Sequence, residues 1–321
     1  MRIAFASCMC TPVFKLQPVW EWIAAKQPNH LVLLGDSVYL DVPVFGKHPM
    51  DMSDDEFAQH LFARYTELLA QPQFAALVQQ MPAGRVWSIW DDHDFLWNDA
   101  LGAEATANPV HRGKVRLSTA FQEAFRGALA SGLTSGSFPD AYNRPEFWNP
   151  AQPPLTTPSV NLDQDVWLHL SDDRTWRTRT WLLAESKRAL LGNAQRGRIA
   201  TAVQTAPQAV HLLASGSTLS AWKRHYAFDW LWLNKLAATC RVLVLSGDIH
   251  RNETDAFYTG GLPLRGSQGT ACFISFATTT ILTAWSQPVE KSTKTLARPY
   301  PASRTPQGKC TPEESQGGTP R

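Results

Sequence analysis

The chain contains no apolar run of the roughly 20 residues needed to cross a bilayer, so no membrane-spanning helix is expected. It lacks a strong charge of either sign. The net charge is +2 at pH 7 over 321 residues, with no dense basic cluster, so neither nucleic acid nor an anionic membrane is an expected partner. Cysteine is sparse. Cys8, Cys10, Cys240, Cys272 and Cys310 are scattered and odd in number, which argues against a disulfide framework and for a reducing compartment. The opening stretch MRIAFASCMC has no basic region followed by a long apolar core; no signal peptide is read, and a cytoplasmic location is expected. No internal repeat is found, and the oligomeric state is left open. Trp, by contrast, is abundant. The 13 copies are expected to line a groove or pack on helices.

A composition of 44% hydrophobic and 18% charged residues is that of a globular chain. Short apolar runs predict strands over 2–6, 30–34, 85–90, 166–170, 210–214, 241–245 and 272–278. Helical spacing is read over 18–26, 110–129 and 228–238, and after Ser53, where Glu56 completes a capping-box pattern. Strands alternating with helices predict an α/β layered fold. Residues 131–165, rich in Pro, Gly, Ser and Asn, read as a long irregular insertion near the site rim. The domain is expected over 1–286. Residues 287–321, with almost no apolar periodicity, read as a flexible tail.

The chemistry gathers at strand ends. The run Trp90 to Asp99 carries Asp91, Asp92, Asp94 and Asp99 around His93. Such crowded carboxylates repel and lose hydration, and a hard metal cation relieves both. Gly35-Asp36 taken singly is an ordinary turn, but the pair recurs as Gly247-Asp248, followed by His250. A carboxylate between two metals can bridge them, and two-metal sites clamp both ends of a phosphoryl displacement. Cys8 is either a small buried hydrophobe or a thiolate ligand beside a cation. Tyr39 either packs or reaches the same metal as Asp36. Arg174 and Arg177 are either surface ion pairs or a bidentate phosphate clamp. His93 is either structural or a proton donor to a leaving oxygen.

With these residues in view, the sequence resembles the alkaline phosphatase D (PhoD-like) metallophosphatases, a branch of the calcineurin-like metallophosphoesterases. The resemblance rests on Ser7-Cys8, GDSVY at 35–39, WDDHD at 90–94 with Asn98 following, DDRTWR at 172–177, SGS at 215–217 and SGDIH at 246–250, in the family's order. It implies a four-layer α/β/β/α sandwich and a multinuclear metal centre. Fe(3+) and Ca(2+) are the metals the resemblance suggests; Mn(2+) and Zn(2+) are further candidates. Carried over residue by residue, Cys8, Asp36, Tyr39, Asp248 and His250 are metal ligands, and Asp91, Asp92 and Asn98 lie toward the second metal or its shell. Arg174 and Arg177 would hold phosphate. Members of the family are typically longer, exported by a twin-arginine signal and equipped with an extra N-terminal β domain, and neither feature is read here. Asp173 stands where an uncharged residue commonly precedes the Arg; an acid there would oppose a dianionic phosphate and leave diesters or other esters as substrates. The implied activity is hydrolysis of small phosphoric esters, monoester or diester, by a metal-activated hydroxide. The alternatives are a metal-dependent hydrolase of non-phosphate esters and a weakly active metal- or phosphate-binding protein.

Overall fold

A computed structural model describes residues 1–42, 46–132, 138, 147–148, 155–163, 165–178, 184 and 188–250, and the backbone of strands at 253–258, 272–277 and 282–285. The first three apolar runs form β1 (Arg2–Ala6), β2 (His30–Leu34) and β3 (Val86–Ile89). They are parallel neighbours, with Ile3 opposite His30 and Leu31 opposite Val86. Every residue of β2 is buried, as befits a central strand covered on both faces.

A second sheet is built from β4 (Ser159–Asp163), β5 (Val166–Leu170), β6 (Val210–Ser215), β7 (Arg241–Ser246), β8 (Glu253–Tyr258) and β9 (Cys272–Ala277), in the order β4-β5-β6-β7-β9-β8. Strands β5, β6, β7 and β9 are parallel; β4 and β8 are antiparallel edges. The backbone of β10 (Leu282–Trp285) returns to pair antiparallel with β1. The fold is therefore mixed α/β with two sheets.

Alternation along the strands divides the apolar side chains between cores. Phe5, Val32, Leu34 and Ile89 of one sheet meet Leu168, Leu170, Leu212 and Ala214 of the other. The opposite face of the first sheet, through Leu31 and Leu33, packs against α1 (Val19–Ala25), α2 (Asp54–Leu69), α3 (Pro72–Gln80) and α6 (Arg112–Ala130). Two short helices, α4 (Asp92–Phe95) and α5 (Gly102–Ala107), precede α6. The opposite face of the second sheet, through Leu213, Val242 and Val244, packs against α7 (Asn193–Thr205), α8 (Leu219–His225) and α9 (Ala227–Ala237).

One expectation is corrected within the described residues. The stretch 131–165 is not irregular throughout, because 159–163 forms β4 with a register shift between Asn161 and Asp163. Val160 and Leu162 reach the inter-sheet core there, and Ser, Asn and Asp between them mask the alternation in composition. Helix α7 also escaped the periodicity reading, since only Gln195, Ile199, Ala202 and Val203 of it are buried. Cys8, Cys10 and Cys240 are free. Among the described residues no helix is long and apolar enough to cross a membrane. The chain divides into Met1–Trp285 and Ser286–Arg321; the tail expected at 287–321 lies outside the described residues.

Candidate metal centre

Parallel strands end on one edge of their sheet, and the chemically able loops follow β1, β2, β3, β5, β6 and β7 at that edge. Contacts tie the loops of the two sheets together. The Trp90 indole donates to Asp172 Oδ1 (2.8 Å) and Tyr39 Oη lies 3.3 Å from His250 Nε2, while within the first sheet the Met9 amide donates to the Asp36 carbonyl (2.9 Å). Several of these residues are held in the left-handed backbone region that disfavours side chains: Cys8 (φ 60°), Asp36 (52°), Asp248 (79°) and His250 (49°). Two glycines let the loops close on Asp91. A Cβ on Gly35 would stand 2.6 Å from Asp91 Cβ, and one on Gly216 would stand 2.5 Å from Asp91 Oδ1.

Two donor groups overlap at this edge. Cys8, Asp36 and His250 present ligand atoms all within 4.8 Å of one another, and so do Asp36, Asp92 and His93. Asp36 belongs to both. Its Oδ2 lies 3.5 Å from Cys8 Sγ and accepts from Tyr39 Oη at 3.4 Å, while its Oδ1 is buried without a hydrogen-bond partner. Such an orphaned, fully buried oxygen among a thiol, a phenol and two imidazoles fits a cation-binding role. Tyr39 also stacks on the His93 ring, with centroids 4.3 Å apart.

Electrostatics point the same way. Burial pushes the Asp36 carboxyl well above its ordinary range, and Asp91, Asp92 and Asp94 push it further. Burial, then the Asp36 charge, also raises Cys8 and Tyr39 strongly, so both stay neutral unless a cation lies beside them. Among the described residues Arg174 is the cation in direct contact with these acids. It bonds Asp91 through Nε and reaches Asp92 Oδ1 at 3.6 Å through Nη2. Within this pair the tendencies diverge: burial raises Asp91, whereas the two carboxylates outweigh burial and hold Arg174 charged. Direct guanidinium contact keeps the pair ionised, and the surplus negative charge then falls on Asp36. For Asp92, Arg174 and His93 outweigh burial and lower its carboxyl.

The acids expected to act alike have separate tasks. Asp91 is committed to Arg174 and belongs to neither donor group. Asp94 accepts from the Asp91 amide (2.5 Å) and the Ser37 amide (3.0 Å), which closes α4 and fastens the loop after β2. Asn98 is exposed, its side chain bonded to Asp99 (3.2 Å). Asp248 is half-buried and faces a cavity of about 590 Å³ with Arg174, Arg177, Ser217 and Tyr226. Asp248 belongs to neither of the two donor groups. Asp173, the acid before the Arg, accepts from Ser215 Oγ and the Ser217 amide, both at 2.9 Å, and its charge still acts on Asp248 at the cavity.

Arg174 has two of its nitrogens on carboxylates and only Nη1 free of partners. Arg177 donates to the Asp173 carbonyl (3.1 Å) and to Ser217 Oγ, and lies over the Tyr226 ring (5.7 Å). No carboxylate pairs with Arg177 among the described residues. The sequence reading overlooked Asp41. It accepts from His93 Nδ1 and the Asn98 amide, both at 2.6 Å, and so sets the ring of His93. Its place five residues after Asp36 on the same loop was the available signal.

No protein-family model matches the chain, and no curated protein sequence matches it. Comparison of folds does give a match. The solved structure of PhoD aligns with 87% of this chain at a TM-score of 0.59 and 16% identity. The fold is PhoD-like. At that identity the likeness carries architecture alone, and the chain covers 56% of the PhoD chain.

Proposed function

We propose that the chain is a metal-dependent hydrolase of phosphoric esters, with Met1–Trp285 as its catalytic body. The observation that carries this reading is Asp36, a buried carboxylate shared by two donor groups beside a cavity whose Arg177 guanidinium has no carboxylate partner among the described residues. The four-layer α/β/β/α arrangement draws support from the three cores, one between the sheets and one outside each.

Cys8, Asp36, Tyr39 and His250 would hold one ion, and Asp36, Asp92 and His93 the other. The phenol and thiol suit Fe(3+) in the first position; with an imidazole added to carboxylates, Mn(2+) or Zn(2+) suits the second better than Ca(2+). When bound, the metals supply Lewis-acid charge and acidify a water near neutrality. The remaining work falls to the chain. Asp41 orients His93 as a donor, a role that replaces the expected proton donor, because an imidazolium beside a cation is repelled. Arg177, and Nη1 of Arg174, bind phosphoryl oxygens and take up the charge that grows as the ester breaks. Tyr226 and the ion-paired Arg174 wall that cavity and hold the guanidinia in place.

Elemental analysis of the purified protein together with turnover of p-nitrophenyl phosphate and bis-p-nitrophenyl phosphate tests the reading. The expected result is about two metal ions per chain, as a bridged site requires, with turnover abolished by chelation and competed by vanadate. Metal-loaded protein that is inert on both esters, or a turnover insensitive to vanadate, would sink it.

A further inference from the structure

A second cavity, of about 360 Å³, opens on the same cluster and is of a different character. It shares Cys8 and His250 with the first donor group, while the Asp248–His250 loop contributes to both cavities. Its floor is Met9 and Trp20, and its outer wall is Phe14, Leu16 and Trp22. None of its lining residues is Asp, Glu, Lys or Arg. The cavity with Arg177, by contrast, is lined by two arginines and two aspartates.

The outer wall is unusual because it stands in water. Phe14, Leu16 and Trp22 are 60%, 78% and 63% exposed. Single exposed apolar residues are ordinary, but three on one groove are not. Nor is the loop that carries them slack. Gln17 is buried and donates to the Met9 carbonyl (2.7 Å), the Phe14 carbonyl (3.1 Å) and Thr11 Oγ1 (3.2 Å), while its own carbonyl accepts from the Trp20 indole (2.6 Å). Backbone amides of Val13 and Phe14 close a turn on Cys10. One side-chain amide therefore fastens the whole loop and holds its apolar side chains out instead of letting them collapse.

We infer that this groove is a subsite for an apolar, ring-bearing substituent of the ester, so that aryl and aralkyl phosphoric esters are preferred over sugar or glycerol phosphates. The inference rests on the hydrolase reading above for the identity of the anchored group. Continuity with the donor cluster selects the occupant: a molecule whose phosphoryl group is held by Arg177 beside the two donor groups can extend a substituent past Cys8 and His250 into the groove. The chemistry of the lining selects its character. A hydroxyl-rich substituent would leave its water for a surface with few partners, whereas a ring gains by burial. The volume lies within the range of small-ligand pockets.

The test compares methylphosphonate and benzylphosphonate, which share an anchor and differ by a ring, using calorimetric titration of the metal-loaded protein. Benzylphosphonate is expected to bind about tenfold or more tightly, the usual gain for burying a ring. The exposed-site double variant Leu16→Ser, Trp22→Ser should bring the ratio close to one while metal content and methylphosphonate affinity hold. Equal affinities in the wild type, or a ratio that the double variant leaves unmoved, overturn the subsite. Vesicle binding that is lost in the variant, with no benzyl preference, assigns the residues to a lipid surface and overturns it as well. Because binding is read without turnover, a protein that hydrolyses no ester yet keeps the benzyl preference refutes the proposed activity and leaves the subsite standing.

Discussion

Asp36 sits where a lone carboxylate is costly: buried, short of a partner on Oδ1, and close to other acids. The substitution Asp36→Asn removes the charge and keeps the shape. It should abolish retention of both ions and, in metal-free protein, raise stability by roughly 1 kcal/mol, since function-bearing strain is then relieved. Unchanged metal content in Asp36→Asn would show that the ions lie elsewhere. The two arginines should separate cleanly. Arg177→Ala is expected to lower kcat and kcat/KM together by about 10²-fold with metal retained, the usual loss for a transition-state donor. Arg174→Ala should lower turnover too and, unlike Arg177→Ala, cost about 3–5 kcal/mol of stability, because it strands the buried Asp91 and Asp92 charges. Denaturant titration beside steady-state kinetics distinguishes the two. Tyr39 offers a spectroscopic check. Phenolate on Fe(3+) absorbs visible light, so iron-loaded protein should be coloured and Tyr39→Phe should bleach or shift the band without altering far-UV dichroism. A colourless iron-loaded wild type would remove Tyr39 from the metal.

At the scale of elements, strand ends carry the chemistry and helices carry the stability. Helix α2 shows the second role. Ser53 Oγ accepts from the Glu56 amide (3.2 Å) while Glu56 accepts from the Ser53 amide (2.8 Å), a complete capping box. Lys47 adds two contacts of 2.8 Å to the same carboxylate. Ser53→Ala should cost about 1 kcal/mol in urea unfolding and leave the kinetics alone; a fall in turnover at full folding would tie α2 to the site. Helix α4 shows the two roles merged. Its first turn is held by Asp91 and Asp94, yet Asp91 also holds Arg174 and the adjacent Asp92 faces the metal position. A helix of four residues has little stability of its own, so the acidic cap and the Arg174 bridge fix its place.

For the whole molecule, two buried histidines outside the metal centre set a pH dependence. Burial and the Arg85 guanidinium, which donates to His30 Nε2 at 2.9 Å, push His30 down to about 4. Burial, with His211 at 3.0 Å, pushes His169 down to about 3. Both rings are therefore neutral in the fold at pH values where the unfolded chain protonates them, from about 6.5 downward. Through these two rings the unfolded state binds more protons between pH 6.5 and 4, so their contribution to stability is lost as pH falls, while the Asp94 carboxyl, pushed up by burial to about 7, contributes with the opposite sign. In chelator, the urea midpoint of His169→Gln should rise relative to that of the wild type as pH falls from 6.5 to 4, because the variant has no ring to protonate on unfolding. A difference between the two midpoints that stays constant across that window would mean that the His169 ring is accessible to protons in the folded chain.

The sequence alone determined the strands and where their chemistry lies. Runs such as 30–34 and 241–245 need only local periodicity to be read, and the polar residues that end them follow directly in the chain. Even the motif order that suggested alkaline phosphatase D was legible without coordinates, and the PhoD-like fold accords with it. Strand β4 and helix α7 were hidden because their apolar residues are too few to set a period. What only the tertiary structure decided is the division of labour among like residues. Asp91, Asp92 and Asp94 are chemically the same, but one meets Arg174 from beyond β5, one meets Asp36 and His93, and one caps a turn. Asp41 gains its role only because the chain folds His93 against it. Cys8 and His250, 242 positions apart, bring ligand atoms within 4.8 Å only when β1 and β7 end side by side across two sheets. A carboxylate's function is set by the charges within a few ångströms of it, and those distances are fixed by packing, which local sequence does not encode.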